Sequence, residues 1–140
     1  MSYLLDTNVV SEPLRKKPDP TVLRWLHEVD EDKTYISVVT PSELRDGIDR
    51  MPAGAQRMRL DDWLRLQVPE RFDGRIVGID PELALECGRV MARQFKLGRQ
   101  PDAMDAFIAA TAKQEGLRLV TRNVADFEGL GLAILNPWQG

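Results

Sequence analysis

Five short apolar runs separated by helical periods predict an α/β domain, with a mostly parallel central sheet of about five strands and helices on both faces. Two further observations agree. The chain has 140 residues, a length that suits one domain with a core of its own. Its composition, 43% hydrophobic and 29% charged, is that of a globular chain rather than a disordered one. A single domain over residues 1–140 is therefore expected.

In chain order, Tyr3-Leu4-Leu5 is an apolar run that stops at Asp6, which is placed to cap a helix through Val9 and Val10. Val22, Leu26 and Val29 recur at i, i+4, i+7, with Leu23 and Trp25 beside them, and predict a helix. Tyr35-Ile36-Ser37-Val38-Val39 is an uninterrupted, β-branched-rich strand candidate. It runs into Thr40-Pro41-Ser42-Glu43, which reads as a capping box with Thr at N-cap, Pro at N1 and Glu at N3. Ile76-Val77-Gly78-Ile79 is a third strand. Leu83, Cys87, Val90 and Met91 mark the apolar stripe of a helix. Asp102 is placed to cap a helix whose stretch Ala103 to Ala112 is apolar almost all round, as suits close packing on a sheet. Leu117–Val120 and Leu132–Leu135 complete the strands.

Charge and cysteine content narrow the function classes. Nineteen Lys and Arg against 22 Asp and Glu leave a formal charge of −3. That sum does not exclude a nucleic-acid partner, which meets a local field rather than an average. Fourteen of the basic residues are Arg, whose planar fork suits phosphate. One cysteine, Cys87, excludes an internal disulfide and a Cys/His zinc pattern. The opening MSYLLDTNVV lacks the basic n-region of a signal peptide, and no run is long and apolar enough to cross a membrane. A cytoplasmic location is expected.

In a parallel sheet, ligands collect beyond the carboxyl ends of the strands. Asp6-Thr7-Asn8 follows the first strand, Glu43 lies just past the second, and Thr121-Arg122-Asn123 follows the fourth. The helix feeding the fourth strand opens at Asp102 and carries Asp105 in its first turn. Each acid alone has a structural role to play, as a cap or a favourable charge at a helix start. Capping does not account for convergence. Asp6, Glu43 and Asp105 would face one crevice, and crowded like charges raise one another's pKa unless a cation compensates. The only histidine, His27, sits mid-helix as a surface residue, so the donors are oxygen alone. Such a set favours Mg²⁺ or Mn²⁺ over zinc or oxygen-activating iron, and points to chemistry on phosphate.

Four segments carry a resemblance in order: Leu4-Leu5-Asp6-Thr7-Asn8-Val9-Val10-Ser11-Glu12, Ser42-Glu43-Leu44-Arg45-Asp46-Gly47, Asp105-Ala106-Phe107-Ile108-Ala109-Ala110-Thr111-Ala112 and Leu119-Val120-Thr121-Arg122-Asn123-Val124-Ala125-Asp126-Phe127. They resemble PIN-domain ribonucleases of the VapC toxin type, and the ending Asn136-Pro137-Trp138 resembles the FitB-like branch. The resemblance spans residues 4 to 138, essentially the whole chain. It implies a Mg²⁺-dependent endoribonuclease, the toxin of a toxin–antitoxin pair, in which a water attacks an RNA phosphodiester in line. Asp6, Glu43 and Asp105 would form the metal-binding acidic core. Family members often carry a fourth acid where this chain has Asn123, and an amide offers an oxygen but no charge. Thr7, Asp102 and Asp126 are candidates for secondary contacts.

Arg89, Arg93 and Lys96 fall at i, i+4, i+7 of one helix and are candidate RNA contacts, with Arg99 beyond them and Arg15-Lys16-Lys17 as a second cluster. A solvated helix face is the competing explanation for the same residues. The resemblance further implies a homodimer and a small antitoxin whose basic segment binds across the acidic site, with Trp25, Trp63 and the 57–65 region as possible contributors. Two other readings compete. A PIN fold kept only as a binding module would be marked by Asn123. An aspartyl-phosphate phosphatase or receiver would also place an Asp after its first strand, but a phosphatase of that kind wants a second Asp where Asn8 stands.

Overall fold

The computed structural model describes residues 1–139. The apolar runs become β1 (Tyr3–Leu5), β2 (Thr34–Ser37), β3 (Ile76–Val77), β4 (Arg118–Val120) and β5 (Ile134–Leu135), in the order β3-β2-β1-β4-β5. Every pairing is parallel. Leu4 lies opposite Tyr35 on one side and Leu119 on the other, while Leu5 is opposite Val120 and Val120 opposite Leu135. Because side chains alternate along a strand, Leu4 and Leu119 enter one core and Leu5 and Val120 the other.

The first core is closed by α6 (Pro81–Lys96) and α7 (Ala103–Glu115), through Leu83, Cys87, Val90, Ala106, Ala109 and Ala110. Alanines let α7 lie close to the sheet, and Gly116 ends it in the left-handed conformation at φ 65°. The second core is closed by α1 (Thr7–Ser11), α3 (Val39–Asp49) and α5 (Val68–Arg71), with Val9, Val10, Leu44, Ile48, Val68 and Phe72 buried. Helices α2 (Pro20–Glu28), α4 (Ala55–Asp62) and α8 (Val124–Phe127) complete the chain. Both layers foreseen in the sequence are present.

Three local expectations are corrected. The second strand stops at Ser37, and Val39 begins a helix instead of ending a strand. The Ser37 hydroxyl accepts from the Val39 N–H at 3.2 Å, and Val39 is buried against the α7 side of the core. That bond to the Ser37 hydroxyl and the burial of Val39 thus override β-branched propensity. The capping box therefore does not form: Thr40 and Pro41 already lie in the first turn of α3, where a missing N–H costs nothing. The fifth strand is Ile134–Leu135 rather than the longer run from Leu132.

The helical stretch from Ala55 to Arg71, including a π turn at Trp63–Gln67, has no counterpart in the sequence expectations. Helix α4 buries none of its residues, so no apolar stripe announces it. Ion pairs hold it, with Asp61 taking Arg45 at 2.6 Å and Arg65 at 2.8 Å. Among the described residues no helix is long and apolar enough to cross a membrane.

Candidate active site at the carboxyl edge of the sheet

Strand order reverses about β1: the chain builds outward through β2 and β3, then returns to place β4 on the other side. Side chains leaving β1 and β4 at their carboxyl ends therefore meet over a crevice. Asp6 is the first residue past β1 and Thr121 the first past β4. The fully buried Thr121 hydroxyl donates to Asp6 Oδ2 at 2.7 Å and accepts from the Asn123 N–H at 3.0 Å. The other oxygen, Asp6 Oδ1, accepts from the Thr7 N–H at 2.8 Å, so Asp6 does cap α1 as foreseen.

Glu43 is not spent on a cap. Its Oε1 accepts from the Thr7 hydroxyl at 2.6 Å, and that hydroxyl lies 3.4 Å from the Thr40 hydroxyl. Thr7 is thus the joint between the two acids: its amide faces Asp6 and its hydroxyl faces Glu43. Asp102 caps α7 by accepting from the Asp105 N–H at 3.0 Å. The Asp102 N–H in turn donates to Oε1 of the buried Gln94 at 3.3 Å, which ties α6 to the start of α7. The carboxylate of Asp105 is left half-buried without a donor of its own among the described residues.

Electrostatics show that these acids share one field. Burial pushes the Asp6 carboxyl above its ordinary value, against the opposing hydrogen bonds from Thr121 and Thr7, and Asp126 adds a smaller push. Burial raises Glu43 as well; the Thr7 hydroxyl opposes it, and the charges of Asp6 and Asp102 add to it. Asp105 is pushed up to about 7, by burial first and then by Asp102, Asp6, Asp126 and Glu43 in turn. Three acids separated widely in sequence, with Asp102 and Asp126 of the secondary candidates, therefore belong to one electrostatic unit.

The donor chemistry fits a hard divalent cation. Every side chain in the unit is an oxygen donor, and no basic side chain among the described residues counters the upward push on Asp105. Among the described residues, no three Asp, Glu, His or Cys side chains already stand as a ready-made cage, so the fit rests on donor type and charge. Asp6, Glu43 and Asp105 are the residues that would hold such an ion.

The remaining candidates are exposed or already hold other partners. Asn123 is exposed beside Thr121, and Asp126 is exposed in the first turn of α8. Arg89 is in an ion pair with Glu86 at 3.1 Å, and Arg93 Nε donates to the Gly129 carbonyl at 3.2 Å. Lys96 is exposed at the end of α6, and the Arg99 guanidinium donates to the Asp126 carbonyl at 3.3 Å. His27 is exposed, as expected. Trp25 packs edge-on to Tyr3 with ring centroids 5.4 Å apart, which accounts for it as core. Trp63 lines an apolar cleft of about 330 Å³ that opens beside Glu43 between α3, α4 and the Leu14–Lys16 segment. Sequence reasoning missed Thr40 and Thr121 as site residues, although each follows an expected strand, where an aliphatic-to-hydroxyl change is a readable signal.

Comparison with known proteins matches the model of the PIN domain over residues 3–129. The chain is 36% identical over 136 residues to Toxin FitB of Neisseria gonorrhoeae, covering 97% of this chain and 98% of that protein. It is also 36% identical over 136 residues to VapC ribonuclease Y4jK of Sinorhizobium fredii, covering 97% of each chain. The crystal structure of FitAcB from Neisseria gonorrhoeae superposes with a TM-score of 0.91 at 36% identity, covering 99% of both chains.

Proposed function

Since the chain belongs to the PIN-domain family, we propose that it is an endoribonuclease of the VapC type that hydrolyses RNA phosphodiesters with Mg²⁺, or Mn²⁺ in its place. One observation carries this reading: Thr7 donates its amide to Asp6 and its hydroxyl to Glu43, which joins acids from two separate elements at the carboxyl edge of the sheet. The charges of both acids add to the burial that raises Asp105. A divalent cation, when bound, would supply charge neutralisation at the phosphate oxygens and lower the pKa of a water so that hydroxide is available at neutral pH. Asp6 and Asp105 would hold the cation, and Glu43 would hold it or orient the attacking water. Thr7 fixes the Glu43 carboxylate by one oxygen and leaves Oε2 free for that work. Thr121 and the Thr7 amide fix Asp6 in the same way. Among the described residues the site contains no histidine, and no base independent of the acidic cluster stands within it.

The reading extends to partners. An RNA substrate is part of this reading. In the row of Arg89, Arg93 and Lys96 it is Lys96, without an ion pair among the described residues, that is proposed to meet the strand, since Arg89 is paired with Glu86 and Arg93 bonds the Gly129 carbonyl. The apolar cleft beside Glu43, with Arg15 and Lys16 on its rim, supports docking of a small antitoxin, whose basic segment then reaches the acids. Exposed Phe95 and Met104 on α6 and α7 support a second copy of the chain as a further partner. A cytoplasmic location agrees with the buried, unpaired Cys87.

The direct test is cleavage of a mixed RNA pool by the purified protein with Mg²⁺ and with EDTA. Cleavage only with the metal is expected; partner capture with no turnover under either condition would reduce the protein to a binding module. A second test concerns Asn123. Its side chain makes no cap hydrogen bond, so Asn123→Asp adds charge without removing a contact. Calorimetry should then show Mg²⁺ bound about 3- to 10-fold more tightly, with cleavage kept or raised. Complete loss of cleavage in this variant would mean that the amide has a role of its own.

A further inference from the structure

We propose that Arg122, stacked on Trp138, is the cation that receives an RNA phosphate at the mouth of the acidic site. The proposal rests on the nuclease reading and adds a substrate contact to it. Val120 of β4 is paired with Leu135 of β5, so the residues that follow leave the same edge of the sheet side by side. Arg122 is two residues past that pair and Trp138 three. The Arg122 guanidinium lies 5.4 Å from the centroid of the Trp138 ring, within the range of a cation–π contact.

Both partners are held from behind. Thr121, next to Arg122, is fully buried and bonded to Asp6, and the Arg122 N–H points at Asn8 Oδ1 at 3.5 Å. Trp138 packs against the core that contains Leu5 and Val120, and its N–H donates to Asn136 Oδ1 at 2.9 Å. The aromatic face thus fixes an exposed guanidinium one residue from the Asp6 anchor. Its fork of N–H donors stays free at the edge, since stacking uses the face alone.

That charge is not spent within the protein. Arg45, Arg65, Arg71 and Arg89 each pair with a carboxylate. Arg122 is exposed and has no carboxylate within ion-pair distance among the described residues. A polyanion approaching clustered carboxylates is repelled unless a cation beside them takes one of its phosphates. A guanidinium held on an indole has the geometry and the bidentate donors for that contact.

The experiment measures binding of a labelled twelve-nucleotide single-stranded RNA in EDTA, where cleavage is off, across 50–200 mM KCl. Arg122→Ala should weaken binding about tenfold and lower the slope of log K against log salt by about 0.7, the loss of one phosphate contact. Arg122→Lys should keep the slope. Trp138→Leu should keep the slope and weaken binding by a smaller factor, with circular dichroism verifying the fold. Mg²⁺ affinity by calorimetry should be unchanged in Arg122→Ala. Wild-type affinity and slope in Arg122→Ala, while wild type binds and cuts RNA, would overturn this contact alone. A wild-type protein that neither binds nor cuts RNA would overturn the nuclease reading, and this proposal with it.

Discussion

Replacing Asp6 by Asn yields a folded protein that cleaves RNA about 10³-fold more slowly in saturating Mg²⁺, the loss expected when a preorganised charge is removed from a transition state. The substitution is nearly isosteric, so geometry survives. Asn Oδ1 still accepts from the Thr7 N–H, and the Thr121 hydroxyl can turn to accept from the new amide. The wild-type carboxylate is 5% exposed, and burial holds its pKa above the ordinary value. Removing that charge therefore relieves desolvation, and the melting temperature should stay level or rise. Stability and activity thus move apart, which separates a functional acid from a structural one. Mg²⁺ affinity by calorimetry should fall with activity. Undiminished cleavage by Asp6→Asn would place the chemistry elsewhere.

The second large effect is on stability, and divalent cation reverses it. Asp105 has its carboxyl pushed from 3.8 to about 7 in the folded chain. Its unfolded pKa is the lower of the two, so between roughly pH 4 and pH 7 the folded state binds the extra proton. Stability from this group is present at the acid end and is lost as pH rises through the folded pKa. The full shift is discounted because Asp105 is only half-buried, leaving about 2 kcal/mol, or roughly 5 °C in Tm, between pH 5 and pH 8. Asp6 and Glu43 are raised for related reasons and act in the same direction. Adding Mg²⁺ at pH 8 should restore the loss, because a ligand for the ionised acids stabilises the native state by mass action. Asp105→Asn should flatten the pH dependence and weaken the Mg²⁺ rescue. A metal-free protein equally stable at pH 5 and pH 8 would show that these carboxylates do not crowd one another.

The layers and the acids were legible in the sequence because both follow from short-range pattern. Leu4-Leu5 and Leu119-Val120 read as strands, and Asp6 and Thr121 follow them at once. The start of α3 was not legible. Val38 and Val39 have strand propensity, and only the bond from the Val39 N–H to the Ser37 hydroxyl, with burial of Val39, turns them into a helix. That one displacement matters for function, since it frees Glu43 from the capping role that its spacing suggested. Helix α4 stayed hidden for the opposite reason: it has no fully buried residue, only Leu60 packs against the core, and ion pairs such as Arg45 with Asp61, which no periodicity reveals, help to hold it. Arg89 shows the limit of helical spacing as a guide, for the helix is real but Glu86 already occupies its charge.

The bond between Thr121 and Asp6 spans 115 positions of chain, and β1, central in the sheet, lacks its β4 neighbour until Arg118–Val120 has been made. A polypeptide emerging from the ribosome cannot assemble this edge until almost all of it has been translated. Truncated or stalled products that end before β4 therefore lack the Thr121 anchor of Asp6 and the β4 side of the crevice.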